Sequence, residues 1–205
     1  AIILPPEHLN CNNSTVELDG SASSQGADFS YAWSTTNGNI VSGAASPIST
    51  VSEEGTYVLT VTDITNGCTA SATVTVVQTT PVSATATASA ALCAGSTNGS
   101  VAAVPSNGSA PFTYLWSNES TNAITGNLSA GTYTVTITDA DGCTASASAT
   151  VTQPSPVELT TTTTAQTALN LSDGTATAVA TGGTPGYTYL WSNNATTASI
   201  SNLAP

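Results

Sequence analysis

Three stretches of this chain are copies of one strand: SYAWSTTNGN around Trp33, TYLWSNES around Trp116 and TYLWSNNATT around Trp191. Two of them are followed by a second shared block, EGTYVLTVTDITNGCTASATVTV from Glu54 to Val76 and AGTYTVTITDADGCTASASATVTQP from Ala130 to Pro154. Trp116 and Trp191 lie about 75 residues apart, as do Cys68 and Cys143, a period too long for a solenoid coil and suited to a small domain. The third copy stops where the second block would start.

Within each unit the apolar period is two. Tyr133, Val135 and Ile137 alternate with Thr134, Thr136 and Thr138, and Tyr57, Leu59 and Val61 alternate with Thr56, Thr60 and Thr62, as half-buried strands require. Asn66-Gly67 and Asp141-Gly142 stand where a tight hairpin needs positive backbone angles. Short Thr/Val/Ala strands with a recurring Trp, a Tyr and a Cys predict an all-β chain of tandem immunoglobulin-like antiparallel β-sandwich domains, the third incomplete. Trp33, Trp116, Trp191, Tyr57 and Tyr133 are the expected core aromatics, and alternation puts Tyr31, Tyr114 and Tyr189 on the same face as the tryptophans. Proline interrupts the strand pattern in VVQTTPVSA and TVTQPSPVEL, which sets expected modules at 1–79, 80–155 and 156–205. Links this short and Pro-containing are stiff and favour a rod.

Charge removes whole classes of partner. With Lys+Arg 0, Asp+Glu 12 and a net charge of -12, the chain has no side chains to neutralise phosphates, so neither nucleic acid nor anionic lipid is an expected partner. No apolar run reaches the length of a membrane-spanning helix, and direct membrane insertion of this segment is not expected. Only 6% of residues are charged, which lowers the electrostatic bar to self-association into a homo-oligomer or filament. Cys11, Cys68, Cys93 and Cys143 form no CxxC pattern, and their spacing suits one bridge per module, Cys11 to Cys68 and Cys93 to Cys143. Each would constrain the unfolded chain by roughly 4 kcal/mol in the chain-entropy account. Such bridges persist outside the reducing cytosol, so an extracellular chain is expected.

The residues offer little chemistry. Asp139 and Asp141 in DADG admit calcium, the one cofactor considered, but a hairpin turn accounts for them more simply. Asp19 and Asp173 fit turns equally well, and Glu53-Glu54 a solvated loop. His8 has no paired Ser or Cys nucleophile and reads as a loop residue. The tryptophans could make a sugar platform, yet their recurrence at one place in each module favours a packed core. No catalytic, cofactor-binding or metal-ligating residue is expected.

The strings GGTPGYTYLWSNNATTASISNLAP and GTYTVTITDADGCTASASATVTQP closely resemble the SprB-type repeat of very large surface adhesins in gliding bacteria of the Bacteroidota, over roughly Pro81 to Pro205. The first module, from VELDGSASSQGADFSYAWSTTNGNI, resembles a PKD-like immunoglobulin-type domain. The resemblance implies a structural or adhesive, non-enzymatic segment of a large cell-surface protein, secreted by the type IX route. It would form an extracellular rod or filament for gliding, attachment or prey capture, with surface ligands unknown. The alternative is a carbohydrate-binding accessory module of a secreted hydrolase, which exposed tryptophans would favour. Two departures stand out: Ala168 occupies the position equivalent to Cys93, and the third module lacks the last two strands and second cysteine of the repeat. Those strands are expected from residues beyond Pro205 or, less favoured, from another subunit, with Ala1–Leu4 as a candidate donor.

Overall fold

The computed structural model describes residues 1–168 and 171–204. Its strands are β1 (Val16–Asp19), β2 (Phe29–Thr35), β3 (Ile40–Ser42), β4 (Ile48–Val51), β5 (Gly55–Asp63), β6 (Thr69–Val76), β7 (Ser83–Ser89) and β8 (Gly99–Ser106). They continue with β9 (Thr113–Trp116), β10 (Ile124–Leu128), β11 (Gly131–Thr138), β12 (Thr144–Val151), β13 (Glu158–Thr164), β14 (Gly174–Thr181) and β15 (Ser199–Leu203). No helix occurs among the described residues.

In the first module two three-stranded antiparallel sheets, β1-β4-β3 and β2-β5-β6, form a sandwich. β5 shows why: Gly55, Tyr57, Leu59 and Val61 are buried in strict alternation with more exposed residues, so a strand of period two turns one face inward. Val16, Leu18 and Val51 from one sheet and Trp33, Tyr57, Leu59 and Val76 from the other share a single core. Tyr57 is wholly buried, and its hydroxyl is satisfied there, donating to the Glu53 carbonyl at 2.7 Å and accepting from the Asn39 amide at 3.0 Å. Trp33 buries its ring and donates Nε1–H to the Ser46 carbonyl at 3.0 Å.

The second module repeats the plan with sheets β10-β8-β7 and β12-β11-β9. Trp116 lies opposite Val135 and Tyr114 opposite Ile137 across β9 and β11. Trp116, Val135 and Ile137 are buried and Tyr133 is half-buried at the edge of the inner face, its hydroxyl on the Ser129 carbonyl. Both hairpin turns are tied by an aspartate. Asp63 accepts from the Thr65 amide and hydroxyl and from the Asn66 side chain, while Asp139 accepts from the amides of Asp141 and Cys143. Gly67 and Gly142 follow at φ of 78° and 79°, where a Cβ would be strained.

The third module builds one sheet, β13-β14-β15, with β14 paired to both neighbours. Residues 187–191, equivalent to β9, take no strand pairing among the described residues. Expected core aromatics therefore divide: Trp33 and Trp116 are 5% and 2% exposed, whereas Trp191 is only half-buried. β11 pairs beside Trp116, whereas among the described residues no strand pairs beside Trp191.

Two compact units make up the chain, one of Ala1–Thr85, Ala103–Thr121 and Val135–Ala147, the other of Ala86–Ala102, Asn122–Thr134 and Ser148–Pro205. The disulfide is neither of the expected pairs Cys11–Cys68 and Cys93–Cys143. Cys11 is bonded to Cys143, with Cα atoms 5.8 Å apart, and Cys68 and Cys93 are exposed thiols. The reason is the direction of the strands. Leu9 donates its amide to the Val77 carbonyl beyond the end of β6, whereas Cys68 precedes the start of that strand. Nine residues of extended chain separate the two ends by roughly 30 Å, far beyond the reach of a disulfide. Likewise Cys143 precedes β12, while the Cys93 loop is anchored by the Ala91 amide on the Thr152 carbonyl, past the strand's other end.

Candidate functional site

Two features stand out for function, a cross-linked joint and an open aromatic face. The joint lies wholly within the first unit. Its centre is the β11–β12 turn, whose residues meet the segment before β1 and the segment after β6. Cys11 holds Cys143 covalently. Around that bond, Asp141 gathers four partners. Its carboxylate accepts from the Ser109 hydroxyl at 2.7 Å, His8 Nε2 at 3.0 Å and the Thr79 hydroxyl at 3.3 Å, and its carbonyl accepts from the Asn12 side-chain amide at 2.7 Å. The Ser109 hydrogen bond, and after it His8, hold the Asp141 carboxyl below its ordinary pKa. Gly108 donates its amide to the Thr80 carbonyl at 3.0 Å, and a Cβ there would meet Asp139 and Val82 at 2.8 Å, so the turn packs directly onto the link.

The acidic residues considered for calcium are thus occupied. Asp139 is buried and caps its own turn while also accepting the Ser109 amide, and Asp141 is bonded across the joint. Asp19 accepts from Ser21 and Asp173 from Thr167, and in each pair the side-chain hydrogen bond, and after it the backbone amide, holds the carboxyl below its ordinary pKa. Among the described residues no group of three or more His, Cys, Asp or Glu side chains is arranged to hold a metal ion. His8 lies outside the strands, as expected of a loop residue, and it also takes part in the joint, which the sequence does not show. No local pattern relates His8 to a residue 133 positions away.

The open face lies in the second unit. Val157, Leu159, Ala178, Tyr187, Tyr189 and Trp191 line a cavity of about 280 Å³. The Trp191 indole bonds the Thr197 carbonyl at 2.8 Å, so the ring is oriented even without a covering strand. The equivalent Tyr114 and Trp116 belong to β9, which pairs with β11, and Phe112 directly precedes it. A second cavity of about 470 Å³ lies beside Cys93, lined by Leu92, Pro154, Pro156, Val157 and Gly183.

Tandem immunoglobulin-like β-sandwich modules, the first cross-linked to the second, define the class of protein. In its second and third modules, residues 85–121 and 169–196 match the family described as SprB repeat. No curated protein matches the sequence. Solved structures of similar shape include the three N-terminal domains of the outer capsid protein Hoc of bacteriophage RB49, at 14% identity and a TM-score of 0.49, covering 91% of this chain and 71% of that one. The titin I-band fragment I67–I69 is similar at 12% identity and 0.45, covering 89% and 96%. The C-terminal fragment of intimin, solved with the intimin-binding domain of its translocated receptor, is similar at 13% and 0.43, covering 78% and 67%. The sandwich architecture follows from the chain's own strand pairing rather than from these likenesses.

Proposed function

We propose that this chain is a load-bearing, non-enzymatic segment of an extracellular surface protein, in which SprB repeats and an immunoglobulin-type module act as structural and adhesive spacers. The observation that carries the reading is the Cys11–Cys143 bond, which ties residues 132 positions apart and joins the first module to the second. A cross-module disulfide belongs to an oxidising compartment, and it means that pulling the modules apart requires breaking a covalent bond. Secretion by the type IX route, assembly into a filament and a role in gliding, attachment or capture are the finer parts of this proposal, supported by the SprB repeats. The absence of Lys and Arg and the low charge density support self-association over binding to phosphate-rich partners.

Intact cells of the source organism, probed with an antibody to residues 1–79, test the location. Labelling without permeabilisation is expected, and labelling only after lysis would contradict it. Sedimentation of the purified chain over a concentration series tests assembly, and a monomer at every concentration would count against a filament. One observation favours a second reading, sugar binding at the open face, because Trp191, Tyr187 and Tyr189 are only half-buried around a cavity. Quenching of Trp191 fluorescence by oligosaccharides, lost in Trp191→Ala, would support that reading.

A further inference from the structure

The cysteines occupy two kinds of position. Cys11 and Cys93 each stand two residues after a buried residue, Leu9 or Ala91, whose amide bonds the carbonyl just past its module's last strand, Val77 or Thr152. Cys68 and Cys143 each close an Asn-Gly or Asp-Gly hairpin turn. The bond that forms joins the first kind in one module to the second kind in the next. Cys93 is therefore placed for the same linkage one module further on.

The surroundings of Cys93 repeat the first joint with its turn removed. Gly183 donates its amide to the Ser155 carbonyl at 2.8 Å, as Gly108 does to Thr80 at 3.0 Å. Val157 takes the place of Val82, yet Val82 is 6% exposed and Val157 is 62% exposed. Among the described residues no turn stands at the second link where the β11–β12 turn packs against the first, and the cavity of about 470 Å³ lies there. One hairpin could fill both vacant places. With its first strand paired along Tyr187–Trp191 as β11 pairs along β9, its turn would reach the Cys93 cavity.

We propose that Cys93 and its cavity are the docking seat for a β-hairpin whose turn ends in Gly-Cys, and that this cysteine closes a second cross-module disulfide. The two such hairpins within residues 1–205 are built into β5–β6 and β11–β12, so the occupant is a further hairpin of SprB-repeat chemistry. Bond formation takes two protons and two electrons from the two thiols, the electrons passing to an extracellular disulfide or oxygen. The proposal rests on the extracellular reading for that oxidant alone.

The test uses a synthetic peptide of the sequence Gly131–Val151, its cysteine activated as the mixed disulfide with thionitrobenzoate, added to the whole chain. The Cys93 thiol loses its proton to solvent and attacks the peptide sulfur. A new S–S bond forms, the activated one breaks, and coloured thionitrobenzoate leaves as the thiolate, so no other oxidant is needed. Cys93 is expected to react at least about tenfold faster than Cys68, with a blue shift of Trp191 fluorescence. Cys93→Ser should abolish the fast phase, and Val157→Asp should slow it. Equal rates at Cys68 and Cys93, a scrambled peptide reacting as fast, or covalent pairing of two chains through Cys68 and Cys93 in preference to the peptide would overturn the proposal. Surface labelling of cells is independent of this result, so a failure of either idea is recognisable by itself.

Discussion

Removing the cross-module bond should destabilise the first unit more than any single apolar truncation outside its core. The bond closes a loop with a sequence separation of 132. The chain-entropy relation gives about 5 kcal/mol at 25 °C for a loop that long, because the opened unfolded chain gains that much freedom. In the folded state the hydrogen bonds of Asp141 keep the joint in register, so little native order is lost with the sulfur atoms. The perturbation is the double variant Cys11→Ser, Cys143→Ser, compared with Cys68→Ser and Cys93→Ser, whose thiols are exposed and unbonded. Urea unfolding followed by tryptophan fluorescence reads the relevant unit, since Trp33 and Trp116 are buried within it. With an m-value of about 2 kcal/mol per molar urea, the midpoint should fall by roughly 2.5 M in the double variant and by less than about 0.3 M in the controls. A loss below about 1 kcal/mol would refute the reasoning, because the cross-link would then not constrain the unfolded chain as one loop.

Trp116 and Trp191 should respond differently to truncation. Trp116→Ala is expected to cost about 3–5 kcal/mol and Trp191→Ala less than about 1 kcal/mol in denaturant unfolding, because the first ring is buried in a paired strand and the second is half-buried. Tyr57→Phe should cost about 1–2 kcal/mol, read as a lowered thermal midpoint, since it removes the buried hydroxyl that serves the Glu53 carbonyl and the Asn39 amide. Asp141 has a depressed folded pKa, so its contribution is present above the unfolded value of about 3.9 and is lost as pH falls through the lower folded value. The thermal midpoint of the first unit should therefore fall below about pH 4, and Asp141→Asn should flatten that part of the profile.

Much of the architecture was legible because it depends on local pattern. The alternation at Tyr57, Leu59 and Val61 and at Val135 and Ile137 marks strands whichever neighbours they find, and those residues are buried as expected. Gly67 and Gly142 take the positive φ that their turns demand. The disulfide pairing was not legible, because loop length carries no information on which end of a sandwich a cysteine occupies. That depends on strand direction, and the Leu9–Val77 hydrogen bond puts Cys11 at the end away from Cys68. Trp191 shares the alternation that buries Trp116 but is half-buried, because alternation sets the face a ring takes and not what lies against it. The role of His8 depends on a neighbour 133 residues away and leaves no local trace.

The central claim is that covalent linkage runs between modules, and disulfide mapping tests it most directly. The chain has no Lys or Arg for trypsin, so the unreduced protein is blocked at its free thiols, digested at Asp and Glu, and its linked peptides sequenced by mass spectrometry. Cys11 should be found bonded to Cys143, with Cys68 and Cys93 carrying the blocking group. Bonds from Cys11 to Cys68 and from Cys93 to Cys143 would contradict the account, leaving each module closed on itself and the joint without its lock.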